Sequence, residues 1–551
     1  MKISLAQLNY HIGNFEQNFQ KIKNTIEKAK SENCDLVVFS ELAICGYFPF
    51  DLLEKHSFIE NCQNYLLKIA EISNDIAVIV GLPTFNHSEK GKNLYNSAAF
   101  IENGKVVRIV NKTLLPNYDV FDEYRYFEVN NNFNIIEYQG FRIALTICED
   151  LWDSQKIYGN FDIEKVNEIS VVDEIIKLNP DICINISALP YSHNQTETRQ
   201  NILIEKSKKY ALPIIYVNQV GANSDLIFDG GSLVLNKNGE VLKECKYFEE
   251  DFQIIDFSIN NKNSVIMRQE NNRISSIYNA LVLGVRDYFA KNNFKKAVLG
   301  LSGGIDSAVT LAIAIEALGN ENVMSILMPT KYSSDHSISD SLKMIKRTNS
   351  SYQIINIEHI RNAFLDTMSE VFLGTKENVT EENVQARIRG TVLMAYSNKF
   401  GNILLNTSNK SEFAVGYSTL YGDMNGALSV LGDVYKTDVY ALANYINDTK
   451  GHLIPQNIIT KAPSAELRPD QKDQDSLPPY DILDKILFSY IEQKLSTKEI
   501  IENGFSPEIV EKVIKMVNNN EFKRFQAAPI LKISSKSFGY GRHFPIVLYH
   551  F

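Results

Sequence analysis

The sequence predicts an α/β chain built from two globular parts. From Lys2 to about Phe257, short apolar runs alternate with helix-like stretches, the pattern of a layered α/β domain. A second α/β series opens with a helix near Arg273 and carries the glycine-rich segment GLSGGIDS at Gly300–Ser307. With 551 residues, the chain exceeds the ~250 to 300 residues at which a single core stops growing, so more than one core is required.

Taken in order, the first part begins with the strand ISLAQL, a helix from Asn14 to Ala29, the strand segment LVVFSEL, a helix ending at Ile72 and the strand IAVIVGL. Further strands are expected at Asn96–Ile101, Lys105–Asn111, Phe141–Cys148, Ile182–Ile186, Ile214–Asn218, Gly231–Asn236 and Phe252–Phe257. The polar stretch that follows lacks periodicity, so 1–258 reads as one domain, 259–272 as a linker and 273–551 as a second domain. Hydrophobic residues make up 44% and charged residues 22%, and no run nears the ~18 apolar residues of a membrane span. A net charge of −10 argues against nucleic acid as the main partner. The first residues show no basic stretch followed by an apolar one, so a cytoplasmic address is expected.

GLSGGIDS lies between the strand Ala297–Leu301 and the helix Ala308–Leu318. Backbone N–H groups freed by Gly303 and Gly304, with the positive end of the helix, attract an anion. Asp306 can hold Mg²⁺, and Ser302 and Ser307 can touch phosphate oxygens. Walker A spacing is absent. Downstream, polar clusters sit at strand ends, where doubly wound sheets place ligands: ENVQARIRG, NTSNKSE, GYSTLYGD, Lys436 in VYKTDVYALA, APSAEL and LPPYDILD.

In the first part, Cys148 stands at the end of FRIALTI and opens CEDLW, Glu41 follows the strand VVF, and Lys112 lies in NKTLLP. A thiol nucleophile requires a base, and the oxyanion it generates requires a fixed positive charge; Glu41 and Lys112 can fill those roles. The cysteines show no paired metal-ligand spacing; Cys34, Cys62, Cys183 and Cys245 read as buried hydrophobes, while Cys45, four residues after Glu41, is a weaker nucleophile candidate than Cys148 because no strand-end motif surrounds it.

The motif SGGxDS resembles the signature of ATP pyrophosphatases, and the ordered series from ENVQARIRG to LPPYDILD resembles NAD synthetases over residues 275 to 551. The Glu, Lys, Cys order and its flanks resemble the nitrilase superfamily, specifically the glutaminase half of glutamine-dependent NAD synthetases. The resemblance implies a nitrilase-like α-β-β-α sandwich followed by a doubly wound parallel ATP-pyrophosphatase domain. It implies that the first domain takes ammonia from glutamine. The second then adenylates the nicotinate carboxylate of deamido-NAD with ATP and amidates it.

By position in the matched motifs, Glu41 is the proton acceptor, Lys112 stabilises the intermediate and Cys148 carries the thioester. Tyr118, Glu123, Ser187 and His193 fall at glutamine-contacting positions. Gly300, Leu301, Ser302, Gly303, Gly304, Ile305, Asp306, Ser307, Arg387, Thr407, Lys436 and Ser464 fall where the family binds ATP. Asn383, Glu412, Asp423 and Lys523 fall where it contacts deamido-NAD, with Asp306 and Glu412 as Mg²⁺ ligands. KYSSDHS at Lys331–Ser337 resembles the family's mobile loop over the phosphates, and a homo-oligomer is expected.

The sequence departs from the family pattern in a longer segment from Asp153 to about Val172 and in Leu189, which replaces a small polar residue. Two alternatives stay open: an ammonia-dependent synthetase with a silent glutaminase scaffold, and an amidotransferase that adenylates a different acceptor.

Overall fold

A computed structural model describes residues 1–152, 170–257, 264–267, 272–468 and 471–548. Contacts divide the chain into two units, Met1–Glu270 and Asn271–Phe551. Most of the expected linker lies outside the described residues, as does the long segment after Trp152 as far as residue 169.

The first unit contains strands β1 (Lys2–Gln7), β2 (Leu36–Val38), β3 (Ala77–Phe85), β4 (Leu94–Glu102), β5 (Lys105–Asn111), β6 (Ile135–Tyr138), β7 (Phe141–Ile147), β8 (Ile182–Ser187), β9 (Ile214–Asn218), β10 (Val220–Asn223), β11 (Leu226–Asp229), β12 (Leu233–Leu235), β13 (Val241–Glu244) and β14 (Asp251–Asp256). Its helices are α1 (Phe15–Ser31), α2 (His56–Glu71), α3 (Glu123–Tyr126), α4 (Val171–Ile176) and α5 (Thr196–Tyr210). Two six-stranded sheets form, in the orders β14-β1-β2-β3-β4-β5 and β13-β12-β9-β8-β7-β6.

The sheets face each other across one apolar core, to which Ile3, Leu5, Val38, Ile79 and Phe100 contribute from the first and Ile143, Leu145, Ile184, Ile215 and Val234 from the second. Outside the first sheet, Ile22 and Ile26 of α1 and Ile59 and Ile69 of α2 pack with Val37, Val78 and Val80. Outside the second, Val171, Ile175, Ile202 and Leu203 of α4 and α5 pack with Ala144, Cys183 and Ile214. The result is an α-β-β-α sandwich. Strands covered on both faces must be apolar on both, which is why these runs show little alternation.

Strands β6, β10, β11 and β13 were not anticipated. Each is four residues long, and β10 and β11 pair only with each other, so little periodicity marks them.

The second unit carries β15 (Ala297–Gly300), β16 (Val323–Leu327), β17 (Ser351–Ile354), β18 (Ile403–Asn406) and β19 (Leu428–Ser429), in the order β17-β16-β15-β18-β19. Every adjacent pair is parallel. The chain first steps from β15 to β16 and β17, then returns past β15 to β18 and β19. The order therefore reverses beside the carboxyl end of β15, where a crevice opens in such sheets.

Its helices are α6 (Arg273–Lys291), α7 (Ile305–Leu318), α8 (Asp335–Thr348), α9 (Glu358–Met368), α10 (Val379–Phe400), α11 (Lys410–Val415), α12 (Lys436–Lys450), α13 (Gln456–Thr460), α14 (Tyr480–Ile491), α15 (Thr497–Glu502), α16 (Pro507–Asn519) and α17 (Glu521–Arg524). Helices α6, α7 and α12 pack together, and α10 packs on β15 and β18. A separate core joins Phe413 of α11 with Leu483 and Leu487 of α14 and Val510 and Val513 of α16. Among the described residues, no helix is long and apolar enough to cross a membrane.

Candidate active sites

In the first unit, β2 stops at Val38, and Phe39–Glu41 leave the sheet while staying against β3. Gly81 of β3 permits that approach: a Cβ there would lie 2.4 Å from Leu42 N and 2.7 Å from Glu41 Cα. Lys112 directly follows β5, Glu123 opens α3 and Cys148 directly follows β7. The sequence reading ended this last strand at Cys148; the structure ends it at Ile147 and turns at the cysteine, whose φ is +43°. A residue with a side chain rarely adopts that backbone conformation, and such strain gathers where surroundings over-determine it.

These ends meet. Lys112 Nζ donates to Glu41 Oε1 at 2.8 Å and to Glu123 Oε1 and Oε2 at 2.9 and 2.8 Å. Asn96 Nδ2 donates to Glu41 Oε1 at 2.8 Å and Glu123 Oε2 at 3.2 Å. Ala188 N donates to Glu41 Oε2 at 2.9 Å, and Tyr47 OH to Glu123 Oε1 at 2.8 Å. Glu41, Lys112 and Glu123 are each 0% exposed and Cys148 is 1% exposed, so the charges act without water between them.

Burial alone would pull the Lys112 ammonium down, but Glu123, Glu41 and Cys148 hold it well above its ordinary value. Burial and then Glu41 push the Cys148 thiol well above its ordinary value, with Lys112 opposing them. Burial also raises Glu123, against Lys112 and with Glu41. The resting site therefore holds a thiol beside a permanent cation, and two carboxylates share that cation.

The sequence reading placed Glu123 against substrate; in the structure both of its oxygens are on Lys112. Tyr118 OH donates to Glu149 Oε1 at 2.8 Å, and Ser187 Oγ accepts from Tyr216 OH at 3.3 Å. His193 lies half-buried in the turn before α5. Cys45 is buried and its thiol donates to Leu42 and Gly46 carbonyls. Asn96, Tyr47, Glu149 and the Ala188 amide escaped sequence reasoning, because nothing in their spacing ties them to Glu41, Lys112 or Cys148.

In the second unit, the turn from β15 into α7 follows the expected glycine-rich segment. Gly303 has φ +77°, and a Cβ there would lie 2.4 Å from Ser337 O. Ser302 Oγ accepts from Gly304 N at 3.2 Å, and Ser307 Oγ donates to Gly304 O at 3.0 Å. Lys436 Nζ binds Asp306 Oδ2 at 2.5 Å and Glu412 Oε1 at 3.3 Å. Asn409 Nδ2 donates to Asp306 Oδ1 at 2.9 Å. Burial pushes Glu412 up to about 8 against the pull of Lys436, with Asp306 adding to the rise.

A cavity of about 310 Å³ opens beside this turn. Gly300, Leu301, Ser302, Gly304, Ile305, Asp306 and Ser307 line it, joined by Thr407, Glu412, Asp423, Lys436 and Ser464. Asp423 is open to the cavity, yet burial among protein groups pushes its carboxyl up to about 6.

Three of the expected ligand residues point elsewhere. Arg387 is exposed, with Nε donating to Leu420 O at 3.3 Å, whereas Arg389, two residues on, lines the cavity. Asn383 Oδ1 accepts from Thr419 Oγ1 at 2.8 Å. Lys523 Nζ donates to Gly416 O and Ser418 O, both at 2.8 Å. Arg389 and Asp473 line the cavity but were not singled out from the sequence; a 3.6-residue period puts Arg387 and Arg389 on different faces of α10, and only packing decides which face is covered.

Among the described residues, no cluster of three or more metal-ligating side chains forms. The pair Asp306 and Glu412 nevertheless fits Mg²⁺, an ion commonly held by one or two carboxylates with substrate phosphates completing its shell.

Residues 2–265 match the carbon-nitrogen hydrolase family, and residues 277–527 match NAD synthase. The chain is similar to the glutamine-dependent NAD(+) synthetase of Synechocystis sp., 44% identical over 551 residues, covering 99% of this chain and 98% of that one. It is similar to the same enzyme of Acinetobacter baylyi at 43% over 549 residues, with coverage of 99% and 98%. The solved structure of the glutamine-dependent NAD+ synthetase from Acinetobacter baumannii, in complex with adenosine diphosphate, superposes with a TM-score of 0.78 at 41% identity, covering 99% and 98% of the two chains. The structure from Cytophaga hutchinsonii shares the fold, with a TM-score of 0.82 at 21% identity and coverage of 100% and 98%. With relatives this similar along its whole length, and with both domain families matched in order, the chain belongs to the family of glutamine-dependent NAD(+) synthetases.

Proposed function

We propose that the first unit hydrolyses glutamine through Cys148 and that the second amidates deamido-NAD at the expense of ATP. The observation that carries the reading is the buried Lys112 ammonium, held between Glu41 and Glu123 beside a thiol in a strained turn.

Glu41 takes the Cys148 proton as the sulfur attacks the glutamine amide carbon. One ammonium shared by two carboxylates leaves an excess negative charge in a dry site, and a proton arriving from the thiol relieves it. Lys112 faces the oxyanion, where a fixed charge stabilises a transition state without reorganising. Glu41 then returns the proton to the departing nitrogen, giving ammonia and a glutamyl thioester. Water then attacks the thioester carbon while Glu41 accepts its proton; the C–S bond breaks, glutamate is released and Glu41 returns the proton to the Cys148 sulfur. Tyr118, Ser187 and His193 are assigned to glutamine contacts.

In the second unit, the Gly303–Ser307 turn and Lys436 receive the ATP phosphates, with Thr407 and Ser464 on the cavity wall. The nicotinate carboxylate displaces pyrophosphate from the α-phosphorus, and ammonia then displaces AMP. Asp306 and Glu412 would hold Mg²⁺, which neutralises phosphate charge when bound. Asp423, Asn383 and Lys523 are assigned to deamido-NAD and Arg387 to ATP; of these four, Asp423 lines the cavity. Assembly into a homo-oligomer and a cytoplasmic setting belong to the same reading, supported by family membership.

The test supplies deamido-NAD, ATP and Mg²⁺ with either glutamine or ammonium, to the wild type and to Cys148→Ala. The expected result is that the variant loses NAD formation from glutamine and keeps it from ammonium. A wild type that forms no NAD from either nitrogen source overturns the reading, and a fully active variant removes Cys148 from it.

A further inference from the structure

Asp150 takes no part in the chemistry set out above, yet it is 2% exposed and carries three backbone hydrogen bonds. Its Oδ1 accepts from Thr113 N at 3.0 Å and from Leu114 N at 2.9 Å, and its Oδ2 accepts from Ile147 N at 3.0 Å. Thr113 and Leu114 follow Lys112 directly, and Ile147 precedes Cys148 directly. A single carboxylate therefore ties the chain that carries the cation to the chain that carries the nucleophile, across 37 and 36 residues of sequence on one side and three on the other.

An ordinary capping role accounts for only part of this. An acidic residue in the first turn of a short helix caps the amide just before it, here Ile147 N, through one oxygen. The second oxygen, which reaches the Lys112 chain, is unnecessary for that turn. The bonds fall where the sheets no longer supply order, since β5 ends at Asn111 and β7 at Ile147. They also flank Cys148, whose left-handed backbone persists only when its neighbours hold it. Amide bonds to a carboxylate are of the strong, charge-assisted kind, suited to holding such a turn.

We propose that Asp150 is a positioning residue for the thiol chemistry, pinning the Lys112 segment to the Cys148 turn so that the cation and the nucleophile keep a fixed spacing around the amide carbon. The proposal rests on the reading of the first unit as a glutaminase. It implies that Asp150 acts on the rate of thioester formation and leaves glutamine binding nearly untouched. The Asn variant separates the two arms. Its amide oxygen can still serve Thr113 and Leu114, but its amino group faces Ile147 N, donor against donor, so the Cys148 arm alone is broken.

The experiment measures kcat and KM for NAD formation by the full chain with glutamine and with ammonium, in the wild type, Asp150→Asn and Asp150→Ala. It is paired with mass-spectrometric labelling of Cys148 by a chloroketone analogue of glutamine. Small misplacements of reacting groups cost up to about a hundredfold in rate, so the glutamine kcat should fall about tenfold in Asn and about a hundredfold in Ala. The labelling rate falls in the same order, while KM for glutamine and the ammonium reaction hardly change. If Ala does not fold, Asn decides alone.

A rise in KM at unchanged kcat makes Asp150 a substrate contact and overturns the proposal. So does an Asn variant with wild-type kinetics, or an equal loss with both nitrogen sources. A wild type inactive with glutamine overturns the glutaminase reading itself, an outcome distinct from all of these.

Discussion

Glu149 shows how one buried side chain reports the electrostatics of the first site. It adjoins Cys148 and is 9% exposed. Burial pushes it from an ordinary 4.5 up to about 7; Lys112 and the Tyr118 hydroxyl oppose the rise, and Glu123 and Asp150 add to it. A folded-state value above the unfolded one means that the native state binds the proton more tightly. The resulting stability is whole below about pH 4.5 and is lost as pH rises through about 7, at a cost of up to about 3 kcal/mol. Glu149→Gln keeps an acceptor for Tyr118 and removes the titration. Its thermal midpoint should gain on the wild type from about pH 5 to about pH 8, then level off. A pH-independent difference would show that Glu149 does not titrate in this range. Such residues were invisible in the sequence. Glu41, Lys112 and Cys148 were legible because each follows a strand in a family-like motif, whereas Asn96 and Tyr47 become partners of Glu41 and Glu123 only once β4 and the loop after β2 pack together.

The turn between β15 and α7 was the most legible element, because its glycines answer to a backbone demand. Gly303 combines φ +77° with a Cβ position 2.4 Å from Ser337 O. Gly303→Ala meets both the left-handed penalty, about 1 to 2 kcal/mol, and a clash with backbone. NAD formation should fall at least about tenfold with glutamine and with ammonium alike, since the phosphate site serves both; ATP kinetics check this, and an unchanged kcat/KM for ATP refutes it. Helix α11 was far less legible. Its six residues carry Glu412, but neighbours hold the helix at both ends. Lys410 Nζ is buried against Asp433, Glu492, Ser534 and the Lys536 carbonyl. Arg524 donates to the Phe413 and Ala414 carbonyls, and Lys523 to those of Gly416 and Ser418. The motif match that assigns Lys523 to substrate does not reveal that its ammonium caps these carbonyls at the end of α11.

At the scale of the molecule, each unit has its own cores: the first has one sandwiched between its sheets, and the second has one on its parallel sheet and another within a helical cluster. Removing one partner from a buried ionic network typically costs about 3 to 5 kcal/mol. Lys410→Met removes the ammonium that Asp433 and Glu492 share in the second unit. Calorimetry should show the transition of residues 271–551 moving down while that of residues 1–270 stays in place; a uniform shift of all unfolding would contradict this. The sequence by itself determined the two-part α/β plan, the glycine-rich turn into α7 and the choice of Glu41, Lys112 and Cys148 as candidates for one site, because strand runs, glycine turns and strand-end residues are local signals with fixed chemistry. Only the tertiary structure decided that Glu123 shares Lys112 with Glu41, that Arg389 and not Arg387 faces the cavity, and that Asp150 spans from the Lys112 chain to the Cys148 turn. Those facts depend on which buried faces meet across the sheets, and a hydrogen bond between residues tens of positions apart leaves no periodicity in the chain that makes it.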